Sequence, residues 1–142
     1  MKAISIRAPW WWYILYAGKD IENRDWSTSY RGPVLIHASS WWLHYEARDD
    51  NLSARRMAVD AGYGGITPNT AEAREWMRPR GGHIVGVAEI VDCVEASDSP
   101  WFVGRYGFKL GTVSAFKHPI PCKGALGLFN VPDDFIGHPE RA

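Results

Sequence analysis

Apolar and polar positions alternate over residues 2–7, with Ala3, Ser5 and Arg7 set against Lys2, Ile4 and Ile6. That period of two predicts a short strand. Pro9 suits the first turn of a helix, which is predicted over residues 10–17 and stopped by Gly18. Helical spacing puts Trp11, Ile14 and Leu15 on one face and pairs Trp12 with Tyr16 on another. Trp10, Trp11 and Trp12 span about 200° of that helix, so they do not share one core. At least one of them is expected to face a cleft, a partner or solvent; the competing reading packs all three under loops. Val34-Leu35-Ile36 is a continuous apolar run, a buried strand ending in His37-Ala38-Ser39. Residues 41–62 read as a helix capped by Ser39 or Ser40, open to a break at Asn51-Leu52-Ser53. A glycine-rich loop follows, then a short helix over residues 70–77 with Thr70 as cap. Residues 83–95 form the longest strand candidate. Gly86 marks a bend or close approach in it, and Glu89 and Asp92 are expected on its solvent face. Two further strands are expected at residues 111–116 and 125–131, separated by Pro119, Pro121 and Gly124, before one helical turn in the tail. The sum is about six short strands with two or three helices inserted, a mainly β (α+β) chain that favours a small closed or nearly closed barrel.

One stretch does not fit a core. Seven of the nine residues in Gly18-Lys19-Asp20-Ile21-Glu22-Asn23-Arg24-Asp25-Trp26 are charged, amide or glycine, yet apolar segments flank the stretch. As a strand it puts Asp20, Glu22, Arg24 and Trp26 on one face and leaves Ile21 among polar residues on the other. Lys19 enters from the turn before it. Such a strand either lies on an edge with surface ion pairs of little energetic weight or lines a cleft. His37 and Ser39, at the end of the buried strand, are open to the same two readings: facing a pocket, or, for His37, held by one backbone hydrogen bond.

Composition narrows the classes. A chain of 142 residues suits one domain, 1–142, and buries enough surface to fold without a metal or disulfide. The 16 basic and 16 acidic residues balance, so overall charge advertises neither nucleic acid nor disorder. Cys93 and Cys122 form no metal-binding spacing or disulfide framework, and no cofactor or metal is expected. The N-terminus lacks a signal-peptide pattern, and the apolar run over residues 8–17 is too short to span a bilayer. A cytoplasmic location away from membranes is the expectation. The eight Trp residues are many for this length. From Ser99 to Pro132 there is no Asp or Glu, and Arg105, Lys109, Lys117 and Lys123 are interleaved with Trp101, Phe102, Tyr106, Phe108 and Phe116. That mixture suits a single-stranded nucleic acid or a base-like ligand, with cations for phosphate and rings for stacking. It equally suits two amphipathic strands with aromatics inward and lysines snorkelling.

Several runs together resemble the ASCH domain family, a branch of the PUA-like superfamily. They are Ser5-Ile6-Arg7-Ala8-Pro9-Trp10, Gly18-Lys19-x-x-Glu22-x-Arg24, and Tyr30-Arg31-Gly32-Pro33-x-Leu35-Ile36-His37-Ala38-Ser39. Gly86-x-Ala88, Tyr106-Gly107-Phe108 and Pro121-x-Lys123-Gly124-x-Leu126-Gly127-Leu128-Phe129 agree. The resemblance implies a PUA-like β-barrel with helices packed against it. It also implies a cleft holding Lys19, Glu22 and Arg24, and RNA or a nucleobase-like partner. Gly18 directly precedes Lys19, where the family pattern has one residue between them. Some small family members resemble amidohydrolases acting on acylated cytidine and carry a threonine where this chain has Glu22; that chemistry needs a hydroxyl nucleophile. Other members are described as ribonucleases.

Three readings follow. In the first, the chain binds RNA or a modified nucleobase or nucleoside. Arg24 would serve phosphate or a base edge, Glu22 an amino group, Lys19 phosphate, and Trp10, Trp26, Trp101 or Tyr106 would stack. Arg7, His37 and Ser39 complete the candidate binding set. In the second, the same cleft cleaves RNA, with Glu22 or His37 as base and Lys19 with Arg24 stabilising charge; Lys19 and Glu22 are then catalytic. A carboxylate neighbour is expected to keep Lys19 charged. In the third, Trp12, Tyr16, Trp41 and Trp42 form an exposed patch for a protein partner.

Overall fold

A computed structural model describes residues 1–40 and 47–142 (of 47 and 48, the backbone alone). In chain order the elements are β1 (Lys2–Ile6), α1 (Trp10–Tyr16), β2 (Ile21–Arg24), β3 (Gly32–Ala38), α2 (Ala47–Asp60) and α3 (Ala71–Met77). A 3-10 turn (Arg78–Arg80) leads to β4 (His83–Val94), β5 (Tyr106–Pro121), β6 (Leu128–Asn130) and α4 (Asp133–Ile136). The strands form one sheet in the order β2-β5-β4-β3-β1-β6, with β1 parallel to β3 and every other pair antiparallel. It is a small PUA-like half-barrel with the helices packed on it.

The curl follows from one contact. Three strands separate β2 from β1, about 19 Å in a flat sheet at the usual interstrand spacing. The Arg24 guanidinium on β2 nevertheless donates to the Ser5 carbonyl on β1 at 2.7 Å. The sheet therefore bends until its β2 edge approaches β1. Ser5 is available because β6 pairs only with Lys2, Ala3 and Ile4, and its ladder stops there.

Both faces of the sheet are buried, as the run Val34-Leu35-Ile36 requires. Inside the curl, Ile4, Ile6, Val34, Ile36, Ala88, Ile90 and Phe108 pack against Trp11 and Ile14 of α1. Outside it, Ala3, Leu35, Ile84, Phe116 and Val131 cluster, with Ile136 of α4 against them. Glu89 and Asp92 face solvent, as expected. A third cluster joins Tyr13, Ala17 and Ile21 to Ala54 and Ala58 of α2 and to Trp101. The two alanines, one helical turn apart, let α2 lie close against α1.

Three expectations need correction. The break at Asn51-Leu52-Ser53 does not occur: α2 is continuous through these residues, because burial of Ala54 and Ala58 outweighs weak local propensity. The start of the helix expected from residue 41, with Trp41 and Trp42, lies outside the described residues. The strand expected at residues 111–116 is the middle of β5, which runs on to Pro121. Pro119 is tolerated because the ladder slips there, from Gly86↔Ala115 to Ile84↔Ile120, so a missing N–H forfeits no regular bond. The last strand is shorter than expected, Leu128–Asn130.

Two glycines fix the site's surroundings. Gly18 has φ +69°, and a Cβ there would lie 2.5 Å from the Tyr63 ring. A Cβ on Gly86 would lie 2.6 Å from the Ser114 carbonyl oxygen and 2.7 Å from Leu15. Among the described residues, no helix is long and apolar enough to cross a membrane.

Candidate functional site

The end of α1 sets the site. The Tyr13 carbonyl receives the N–H groups of Ala17 and Lys19, at 3.0 and 3.1 Å, around the left-handed Gly18. This turn brings the Lys19 side chain inside the molecule, where it is 2% exposed. Its ammonium donates to the Ile21 carbonyl, lies 3.7 Å from Glu22 Oε1 and stands 5.5 Å from the centre of the Trp10 ring. Glu22 is 7% exposed. Its Oε2 accepts from Arg24 Nε at 3.2 Å and from Arg24 Nη2 at 2.8 Å. One buried carboxylate is thus held between two cations, and one of those cations is tied to β1. Alternation along β2 explains the pairing: Glu22 and Arg24 share a face, and Lys19 reaches them from the turn.

These groups line a cleft of about 570 Å³ at the seam the half-barrel leaves open. β1 contributes Ser5, Ile6 and the following Arg7; α1 contributes Trp10; β2 and its continuation contribute Glu22, Asn23, Arg24 and Asp25. Asp50, Ser53 and Met57 of α2 close one side, and Val103 the other. Arg7 pairs with Asp50 at 2.8 Å, an exposed bridge from β1 to α2. The Asn23 amide is spent on the fold: it donates to the Trp101 carbonyl at 2.8 Å and accepts from Val103 N–H at 3.0 Å. That fixes the loop bearing Val103. Three cations (Arg7, Lys19, Arg24) face three carboxylates (Glu22, Asp25, Asp50), so the lining carries no net charge.

Burial pulls the Lys19 pKa below the ordinary lysine value, and the Glu22 carboxylate opposes this without overcoming it. Desolvation is the larger effect on Lys19, and its carboxylate neighbour works against it, in the direction that keeps the charge. His37 is also held below its ordinary value, chiefly by burial. Its Nε2 lies 2.6 Å from the Cys122 carbonyl, which only accepts, so Nε2 carries the proton and Nδ1 receives the Ser5 hydroxyl at 2.8 Å. Among the described residues, no group of three or more His, Cys, Asp or Glu side chains is placed to hold a metal.

Of the residues singled out from the sequence, Arg7, Trp10, Lys19, Glu22 and Arg24 meet on the cleft. Five do not line it. Trp26 packs edge-on against Phe108, with ring centres 5.1 Å apart. His37 is buried behind Ser5, and the Ser39 amide donates to the Ile6 carbonyl at 3.0 Å. Trp101 is buried against Tyr13 at 5.6 Å; of its segment only Val103 reaches the cleft. Tyr106 stands opposite Arg24 in the ladder, with the Arg105 guanidinium 5.2 Å over its ring. Sequence reading missed Asn23, although it sits in the central polar stretch. It also missed the α2 residues, which only long-range packing brings there.

No curated protein matches the chain. The ASCH domain family model matches residues 4–102, well over half of the 142-residue chain. The matched stretch carries every cleft residue except Val103, together with the Lys19, Glu22 and Arg24 pattern. The chain belongs to the ASCH domain family.

Proposed function

We propose that the cleft binds a nucleobase or nucleoside, free or presented by RNA. The observation that carries this reading is the Glu22 carboxylate, immobilised by Lys19 and Arg24 in the wall of a cleft that also holds the Trp10 ring. ASCH domains are in general RNA-binding-like, which agrees with it. A carboxylate fixed in this way accepts from the exocyclic amino group of cytosine or adenine, and Trp10 offers a π-surface. The guanidinium Nη1 of Arg24 has no hydrogen-bond partner among the described residues, which leaves its donors for a base carbonyl or one phosphate. The balanced lining favours a near-neutral base over a long polyanion. The volume lies within the ordinary range of small-molecule sites, about 300–1,000 Å³. Lys19 acts here as a positioning residue, since its ammonium is already engaged with Ile21 and Glu22.

Calorimetric titration with cytidine and adenosine tests this. Saturable binding is expected, weakened about tenfold or more in Glu22→Gln and in Arg24→Lys, each of which retains a polar group of similar reach. Binding equal to wild type in both variants would overturn the assignment.

RNA cleavage at the same cleft is a second reading, favoured by the Glu22 carboxylate, a base candidate, lying beside the Lys19 and Arg24 cations. Cleavage of RNA by the wild type that disappears in Glu22→Gln supports it. Intact RNA after prolonged incubation leaves binding alone.

A further inference from the structure

A second concave site lies between α1 and α3. Trp12 leaves α1 about 200° round from Trp10, on the flank away from the cleft. Tyr13 and Ala17, on which Ala54 and Ala58 of α2 pack, separate the two sites. The second is a groove of about 390 Å³ lined by Trp12, Tyr16, Thr70, Glu72, Ala73 and Trp76. Each helix contributes a pair four residues apart, Trp12 with Tyr16 and Glu72 with Trp76, so each pair stands on one helix face. Ala73 is small enough to leave room between them. The ring centres of Trp12 and Tyr16 are 5.7 Å apart and tilted by 49°; those of Tyr16 and Trp76 are 5.7 Å apart and meet at 75°. The three rings therefore form walls at angles to one another, not a flat stack. Tyr16 and Trp76 are each 38% exposed.

Charge selects the occupant. Glu72 is the only charged residue on the lining, and among the described residues no hydrogen bond or ion pair engages its carboxylate. Electron-rich ring faces set at angles beside one free carboxylate attract a cation. Trp76 already takes one from outside the groove: the Arg80 guanidinium lies 3.7 Å over the ring and donates to the Trp76 carbonyl, which steadies the ring. The charge of Arg80 opposes a second cation, so the groove needs the Glu72 carboxylate to hold one. The lining also selects among cations. The Thr70 hydroxyl accepts from Ala73 N–H at 3.0 Å, and apart from Thr70, Glu72 and Tyr16 the lining side chains carry no oxygen. A primary ammonium brings three N–H donors and a guanidinium five, most of which would find no acceptor here. A fully alkylated ammonium has none to satisfy and offers methyl groups to the rings. A basic peptide would meet Arg74 and Arg78, both exposed and two residues to either side of Trp76; a compact free cation avoids them.

We propose that this groove binds a small, free quaternary ammonium compound of about the size of choline, held by cation–π contact with Trp12, Tyr16 and Trp76 and by the charge of Glu72. Its volume lies within the ordinary range of small-molecule sites, about 300–1,000 Å³. The site is independent of the cleft and of what the cleft binds.

The test is a chemical-shift titration of labelled protein with choline and with its neutral isostere, in which a carbon atom replaces the nitrogen. Choline is expected to give saturable shifts at the indole N–H groups of Trp12 and Trp76, with a dissociation constant of about a millimolar. The isostere, alike in shape and without charge, should bind about tenfold more weakly or less well still. Glu72→Gln, at an exposed position, should keep the fold and weaken choline about fivefold. Trp76→Leu should abolish saturable binding, and Trp76→Phe, which keeps a ring, should retain part of it. If Trp76→Leu does not fold, the isostere and Glu72→Gln decide the matter without it. Equal affinity for choline and its isostere would make the groove merely apolar and overturn the proposal. Choline binding unchanged in Glu72→Gln, or no saturable shift at about a hundred times the expected constant, would do the same. A trimethyllysine peptide that binds more tightly than choline would overturn the assignment to a free compound.

Discussion

Lys19 is a cation almost wholly withdrawn from water, and its partners decide what its removal does. Lys19→Ala leaves the Ile21 carbonyl and one side of Glu22 unpaired beside a cavity, a loss of about 2–4 kcal/mol. Lys19→Met refills the volume and removes the desolvated charge, so it should be less destabilised than Lys19→Ala in urea unfolding. Equal midpoints would show that the charge, not the packing, matters at this position. His37 carries a pH signature of definite sign. Its folded pKa lies below the unfolded value near 6.5, so the unfolded chain binds more protons between the two. The stability it contributes is complete above about pH 6.5 and is lost as pH falls from there through the folded pKa. The melting temperature of the wild type should therefore drop between pH 7 and 5, and His37→Gln should drop less over the same window. A parallel decline in both proteins would assign the effect to other groups. The central residues were legible in the sequence because a polar run between apolar segments is hard to explain as core. The fate of His37 was not, since a histidine at a strand end reads alike whether it meets a ligand or a backbone carbonyl.

Elements carry these side chains into register, and α1 with its left-handed stop matters most. Gly18→Ala would strain a positive φ and drive a methyl group into the Tyr63 ring. A loss of about 1 kcal/mol or more is expected by thermal unfolding, together with weaker nucleoside binding, because Lys19 follows directly. Unchanged stability would contradict the account of this turn. Asn23→Ala would release both hydrogen bonds to the loop bearing Val103, and hydrogen exchange at residue 103 should accelerate before global unfolding does. Exchange matching the wild type would show that the loop is held by other contacts. At this scale the sequence located nearly every element by its period. It misjudged those whose limits depend on distant partners: α2 is kept whole by Ala54 and Ala58 against α1, and β5 passes Pro119 where its ladder slips. Trp101 illustrates the same limit. An acid-free aromatic segment suggested a ligand wall, but burial against Tyr13 turns Trp101 away from that use.

For the whole molecule, the seam between β2 and β1 leaves a cleft beside the core of the ASCH sheet, and it is there that the proposed ligand would sit. Arg24 spans that seam, so the contact that curls the sheet also lines the cleft. The nearest thing to a direct view of that site in solution is a chemical-shift titration of labelled protein with cytidine or adenosine. The account predicts saturable shifts at the Trp10 indole, Glu22, Arg24 and the Val103 amide, all with one affinity. Shifts confined to other surfaces, or none at saturating nucleoside, would contradict it.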